Sequence, residues 1–293
     1  MGCASSAEAL AQSTRSKRID SILRKEKESE ESERPIKILL LGGRETGKST
    51  ILKQMKLIYN VQFTPAELIE FKNAIRSNIV DCMRIMVVAM DTLKIPLGFD
   101  PNDAAISTIS EMDLMKLLAL TSKTEDAIAL LWNDTGIQHC FTRSSEYQLM
   151  DNCKYVMDNR ERICALAFTP TETDILYTRQ RTQAITEIRF NHDDRAFRVF
   201  DFGGQRKERN KWAAYFQDVS AVIYIAALSS FDQKLMEDES VNRMAEAIAL
   251  FSAICNHPLF KSIGMIVFLN KIDLFQQKIK TVQISEYFPD YAG

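Results

Sequence analysis

The sequence predicts an α/β domain on a mostly parallel sheet, preceded by an N-terminal helix and interrupted by a long all-helical insertion. Three observations carry this. Ile36-Lys37-Ile38-Leu39-Leu40-Leu41 is a short, nearly continuous apolar run that ends in Gly42-Gly43, the pattern of a strand buried on both faces. Comparable runs return only much later, at residues 185–190, 196–200, 221–228 and 264–269, with helical stretches expected at about 207–218 and 241–254 between them. The residues from 61 to 172 carry helical periodicity and no strand signal, so they read as a domain inserted into the α/β unit at a point where its two ends lie close together.

Residues 7–33 are rich in Ala, Ser, Glu, Lys and Arg, with Leu10, Ile19, Ile22 and Leu23 as sparse apolar points, which predicts an exposed helix with a narrow apolar stripe. Met1-Gly2-Cys3-Ala4-Ser5-Ser6 fits the N-myristoylation pattern, and Cys3 beside Gly2 offers a second acyl site, since one chain anchors only marginally. Arg15, Lys17, Arg18, Arg24, Lys25 and Lys27 add basic charge, which taken alone reads equally as a solvated helix face. Pro35 ends this helix. From Pro65 onward Leu68, Phe71, Ile75, Ile79, Cys82, Met86 and Met90 step by three or four and mark one stripe of a long helix. The expected organisation is an N-terminal helix over 1–34, an α/β domain from 35–60 and 173–293, and the helical insertion over 61–172.

Composition narrows the function. With 37 Lys+Arg against 39 Asp+Glu the chain has no global field that would gather nucleic acid, and nucleic acid is not an expected partner. Six cysteines without CxxC spacing in 293 residues favour a reducing compartment over a disulfide framework, and three histidines away from any cysteine cluster argue against zinc. No apolar run approaches the roughly 20 residues needed to cross a bilayer.

Three motifs carry chemistry. Gly42-Gly43-Arg44-Glu45-Thr46-Gly47-Lys48-Ser49 satisfies G-x-x-x-x-G-K-[ST] between a strand and a helix. In such a loop backbone N–H groups turn toward phosphate oxygens, the lysine bridges the terminal phosphates and the serine hydroxyl reaches Mg2+. Glu45, Thr46, Gly47, Lys48, Ser49 and Thr50 are therefore the phosphate-binding candidates. Asp201-Phe202-Gly203-Gly204-Gln205 follows a strand: Asp201 is placed to hold Mg2+ through water, Gly204 to offer its N–H to a γ-phosphate and Gln205 to orient the attacking water. Asn270-Lys271-Ile272-Asp273 follows the last strand, at the carboxyl end where ligands bind in open α/β sheets. A carboxylate there accepts hydrogen bonds from guanine N1–H and the 2-amino group, which adenine lacks, so these residues argue for guanine and against an ATP-dependent enzyme.

With these motifs together the chain resembles an α subunit of the heterotrimeric G proteins, of the N-terminally acylated, inhibitory-like type. Besides the three motifs, Asp174 to Thr182, the continuation of the second motif through Trp212, and Glu146 to Asp151 carry the resemblance, which runs from Gly2 to the last residue. It implies a Ras-like P-loop GTPase domain with the helical insertion, and a GTP-hydrolysing switch that binds a βγ pair when loaded with GDP. It further implies that Arg179 is a catalytic arginine acting with Gln205, and that Thr182 joins Ser49 and Asp201 around Mg2+. Asp151, Asn152, Leu176 and Tyr177 would line the nucleotide cleft, and Asn270, Lys271 and Asp273 would read guanine. The implied partners are GTP and GDP, a βγ dimer, a G-protein-coupled receptor, a downstream effector and, through acyl chains on Gly2 and Cys3, the cytoplasmic face of the plasma membrane.

Three positions depart from the family pattern. Gly43-Arg44 stands where Ala-Gly is usual, so a long side chain occupies a place where glycine leaves room for the catalytic glutamine and arginine, and slow hydrolysis is expected. Gln183-Ala184 replaces Thr-Gly on the surface that GTPase-activating regulators grip. The sequence closes at Tyr287 to Gly293, ahead of the family's last strand, second guanine-contacting loop and receptor-engaging helix; the expectation is a marginally stable chain. The alternative reading is a nucleotide or βγ binding module impaired in hydrolysis or uncoupled from receptors.

Overall fold

The computed structural model describes residues 34–98, 104–111, 122–144, 146–182 and 184–291. The anticipated N-terminal helix with Gly2 and Cys3, and Gln183, lie outside these residues. Strand β1 (Ile36–Leu41) runs through a tight glycine turn into helix α1 (Lys48–Ile58). The sheet has five strands in the order β2 (Thr186–His192), β3 (Arg195–Asp201), β1, β4 (Ala221–Ala227), β5 (Gly264–Asn270). β2 and β3 form an antiparallel hairpin, and every other neighbouring pair is parallel. A central parallel strand is covered on both faces, and Leu39, Leu40 and Leu41 are accordingly all buried. Leu39 and Leu41 join Phe200, Val222 and Tyr224 on one face, while Leu40 joins Val199, Ile223 and Leu52 on the other.

The hairpin extends two residues beyond the expected strand end at Phe190. Asp193 and Asp194 both adopt positive φ (47° and 57°), the backbone of a two-residue turn that matches strand twist, so pairing continues to His192 opposite Arg195. The stretch expected to be helical at 207–218 forms two short 3-10 turns instead, Arg206–Lys211 and Ala213–Tyr215. None of the residues 206–211 is buried, so no apolar face rewards a full α-helix there. Trp212, in contrast, is buried and donates its indole N–H to the Gly203 carbonyl at 3.2 Å.

The insertion is built around α2 (Pro65–Leu93), which Thr64 and Glu67 start with a reciprocal capping box and Pro65 at the first helical position. Phe71, Ile75, Ile79, Cys82, Met86 and Met90 of the expected stripe are all buried. Around it pack α3 (Ala104–Glu111), α4 (Ser122–Trp132), α5 (Thr135–Thr142), α6 (Cys153–Asp158) and α7 (Arg160–Cys164), giving the insertion an apolar core of its own. Helix α8 (Glu172–Tyr177) returns the chain toward the sheet. Helix α9 (Arg243–Cys255) starts two residues later than the pattern suggests because Asn242 is its cap, accepting from Met244 N and Ala245 N. Helix α10 (Ile272–Lys278) follows β5, an outer strand whose Ile266 to Leu269 are 40 to 60% exposed. No helix of the described residues is long and apolar enough to cross a membrane.

Candidate functional site

The parallel strands β1, β3 and β5 all deliver their carboxyl ends to one rim of the sheet, and each of the three motifs sits at one of these ends. The turn after β1 depends on glycine at two points. A Cβ on Gly42 (φ 145°) would lie 2.3 Å from the Ile225 carbonyl oxygen, and one on Gly47 (φ 103°) 2.2 Å from Asn270 Nδ2. Asn270 Nδ2 donates to Thr46 O at 2.8 Å, so the third motif buttresses the first. Thr46 Oγ1 and Lys48 Nζ both donate to Gly43 O, at 3.2 and 2.5 Å. Burial pushes the Lys48 ammonium down to about 8, against the opposing pull of Asp201.

Ser49, Thr182 and Asp201, distant in sequence, converge. Ser49 Oγ donates to Asp201 Oδ2 at 2.5 Å and lies 2.7 Å from Thr182 Oγ1. A hydroxyl has one proton, so Thr182 is the donor to Ser49. Asp201 is buried, which raises its carboxyl above the usual range, and its second oxygen, Oδ1, has no hydrogen-bond partner. An all-oxygen donor set with a free, buried carboxylate oxygen fits a hard cation such as Mg2+.

Arg179 pairs through Nη2 with Glu45 Oε1. The same oxygen accepts from Arg44 Nε at 2.9 Å, and Arg243 Nη1 lies 3.4 Å from Glu45 Oε2. Burial would raise the Glu45 carboxyl, but Arg179, Arg243 and Arg44 together hold it below its ordinary value. Arg243 also donates to the Arg44 carbonyl at 2.9 Å and to Gln233 Oε1 at 2.7 Å, tying the loop to the start of α9. Gln205 accepts through Oε1 from Arg181 Nη2. Gly204 packs against the loop so closely that a Cβ there would lie 2.3 Å from Gly43 O and 2.7 Å from Arg44 N.

From the insertion, Asp151 pairs with Lys271, whose backbone is left-handed (φ 60°). Asn152 Nδ2 donates to Tyr177 O at 2.8 Å and to Asn78 Oδ1 at 2.9 Å. Tyr177 stacks on Tyr155 with ring centroids 4.0 Å apart, and Leu176 is half-buried beside it. Thr50 is exposed in the first turn of α1, and Asp273 in the first turn of α10. Of the third motif, then, Asn270 and Lys271 engage protein partners, and Asp273 is exposed. Sequence reasoning missed Lys53, Asn78, Arg181 and Arg243. Asn78 carries a weak signal, a polar residue beside Ile79 in an apolar stripe, and Lys53 stands one helical turn beyond Ser49.

A family model described as the G-protein alpha subunit matches residues 13–293. The chain belongs to the G-protein α-subunit family. A guanine nucleotide-binding protein subunit alpha of Emericella nidulans is 44% identical over 294 residues, covering 100% of this chain and 83% of that protein. The G-protein complex alpha subunit gpaA of Aspergillus fumigatus is likewise 44% identical with the same coverage, and the alpha-1 subunit of Mycosarcoma maydis is 43% identical. Family membership gives this α subunit a role in G-protein signalling, with guanine nucleotide as its ligand, GTPase chemistry as its class and Mg2+ as the metal general to the family.

Proposed function

We propose that this α subunit binds GTP with Mg2+ and hydrolyses it to GDP and phosphate, releasing and rebinding a βγ dimer as the nucleotide changes. The observation that carries the reading is the meeting of Ser49, Thr182 and Asp201, with the unpartnered Asp201 Oδ1, at the loop that holds Lys48. Ser49, Thr182 and, through water, Asp201 would hold Mg2+, which would supply neutralisation of the phosphate charge. Loop N–H groups from Glu45 to Thr50 and that of Gly204 bind the phosphates, and Lys48 spans the terminal pair. Gln205 orients a water whose oxygen forms a bond to the γ-phosphorus; the bond from that phosphorus to the β–γ bridging oxygen breaks with its electron pair leaving on GDP, and the water's proton passes to the released phosphate. Arg179 exchanges Glu45 for phosphate oxygens and offsets the charge that develops there. Asp273 reads guanine, with Asn270 acting on the loop and Lys271 on Asp151.

Hydrolysis is proposed to be slow, because a long side chain stands at residue 44, whose main-chain nitrogen packs against Gly204 next to Gln205. Attachment to the cytoplasmic face of the plasma membrane through acyl chains on Gly2 and Cys3, receptor coupling and an effector complete the proposal on the strength of the sequence pattern and of family membership. Single-turnover GTP hydrolysis and GTPγS binding by the purified chain, with and without Mg2+, test it. Binding that is independent of Mg2+ and unaffected by Asp201→Ala would overturn the metal assignment.

A further inference from the structure

The peptide segment that carries Arg179 is gripped from two sides by buried polar side chains. From α1, Lys53 Nζ donates to Ile175 O at 2.9 Å and to Thr178 O at 2.7 Å. From the insertion, Asn152 Nδ2 donates to Tyr177 O at 2.8 Å. Asn78, on α2, closes a two-point clamp on Arg179 itself: its Oδ1 accepts from Arg179 N at 2.8 Å and its Nδ2 donates to Arg179 O at 3.0 Å. Asn152 Nδ2 also reaches Asn78 Oδ1 at 2.9 Å, so two donors fix which way the Asn78 amide faces.

Lys53, Asn78 and Asn152 are only 8, 5 and 7% exposed. Burying an ammonium and two amides is costly unless they are hydrogen-bonded, and an apolar side chain at 78 would extend the stripe of Ile75, Ile79 and Cys82 without that cost. Here the bonds converge on the main chain of residues 175–179. Because the clamp holds the N–H and C=O of Arg179 and none of its side-chain atoms, the guanidinium is free to leave Glu45 while its Cα stays in place.

We propose that Asn78 is a positioning residue for hydrolysis, fixing the main chain of Arg179 so that its guanidinium is delivered to the phosphates. The proposal rests on the reading of Arg179 as the catalytic arginine. Small displacements of such a group are expensive, since about 1 Å costs on the order of a hundredfold in rate.

The test compares Asn78→Ala, Arg179→Ala and the double variant in the full chain by single-turnover hydrolysis of γ-labelled GTP, with the affinity for a fluorescent GDP analogue measured in parallel. Asn78→Ala is expected to slow the single turnover roughly ten- to a hundredfold with little change in GDP affinity, and the double variant to be no slower than Arg179→Ala. An unaltered rate in Asn78→Ala, or a double variant in which the two losses multiply in full, overturns the proposal. An unaltered rate in Arg179→Ala overturns the underlying reading, and the two failures are distinguished by which single variant keeps its rate. Should Asn78→Ala fail to fold, the isosteric Asn78→Asp keeps the acceptor for Arg179 N and loses the donor to Arg179 O. Its rate is expected to lie between those of the wild type and Arg179→Ala, and a wild-type rate would overturn the proposal equally.

Discussion

Replacing Arg44 by glycine isolates the residue that sets this α subunit's loop apart, and the structure supplies two opposing effects. The Arg44 main-chain nitrogen lies 2.7 Å from the position a Cβ on Gly204 would take, so residue 44 packs against the neighbour of Gln205, the residue proposed to orient water, and a side chain at 44 is expected to obstruct it by crowding. Relief of a misplacement of about 1 Å is worth roughly a hundredfold. Against this, Arg44 shares Glu45 Oε1 with Arg179, and without it Glu45 holds Arg179 more firmly. Both members of the Arg44–Glu45 pair retain about a quarter of their surface in solvent (24% each), so its contribution is discounted to about 1 kcal/mol or less, at most about fivefold in rate. Crowding is the larger effect, and the net expectation is an increase of about twentyfold in the single-turnover rate of Arg44→Gly. GTPγS affinity should change little, because the loop N–H groups and Lys48 are untouched. Rapid-quench measurement of one turnover with saturating Mg2+ gives the number, and a rate equal to or below that of the wild type would show the crowding argument is wrong.

Asp273→Asn is expected to reduce the preference for GDP over ADP by at least about a hundredfold, since Asp273, exposed while Asn270 and Lys271 are engaged elsewhere, is the carboxylate proposed to accept from guanine N1–H and the 2-amino group; competition binding with both nucleotides measures it. Asp174 is buried, which alone would raise its carboxyl, but hydrogen bonds from Arg162, the Thr171 N–H and Tyr155 hold it well below the usual carboxylate range. Its stabilisation is therefore complete above about pH 4 and lost as pH falls below that. Asp174→Asn should cost about 1–3 kcal/mol at neutral pH and flatten the acid limb of a thermal-melting profile, whereas an unchanged limb would contradict the assignment. Gly2→Ala is expected to release the protein from membranes in cell fractionation, with Cys3→Ser weakening attachment less completely.

What the sequence made legible was the chemistry encoded in short, contiguous spacings. The loop from Gly42 to Ser49, the Asp201 to Gln205 turn and the Asn270 to Asp273 turn each follow an apolar strand, and strand polarity alone brings them to one rim. Arg179 and Thr182 lie in a segment with no such local context and were visible only through family resemblance. Beyond the weak signal of a polar Asn78 in an apolar stripe, the contacts that hold Arg179's segment are not legible, because they join residues 101 and 125 positions apart whose side chains meet only in the folded chain. The 3-10 geometry after Gln205 departs from the expected helix for a related reason: the polar run Arg206 to Lys211 looks helical by propensity, but Arg206 and Arg209 are drawn to Glu246 on α9, and nothing local announces that partner.

The same distinction between local and assembled properties governs the electrostatics. A net charge of -2 over the chain gives no hint of an anion site. Yet folding gathers Lys48, Arg44, Arg179, Arg181, Arg243 and Lys271 around the loop, facing Glu45, Asp151 and Asp201. Glu45 keeps three of these arginines together in a partly buried place where their mutual repulsion would otherwise be strong, and burial weakens the screening that solvent would provide. A polyphosphate entering the site meets cations already held in position, and the carboxylate that stabilises the cluster is also the group that Arg179 leaves in the proposed mechanism. If Arg179 acts as proposed, the Glu45–Arg179 pair sets part of the barrier to hydrolysis, and Arg44, by loading the same oxygen, and Asn78, by fixing the backbone beneath the guanidinium, act on that barrier from opposite ends.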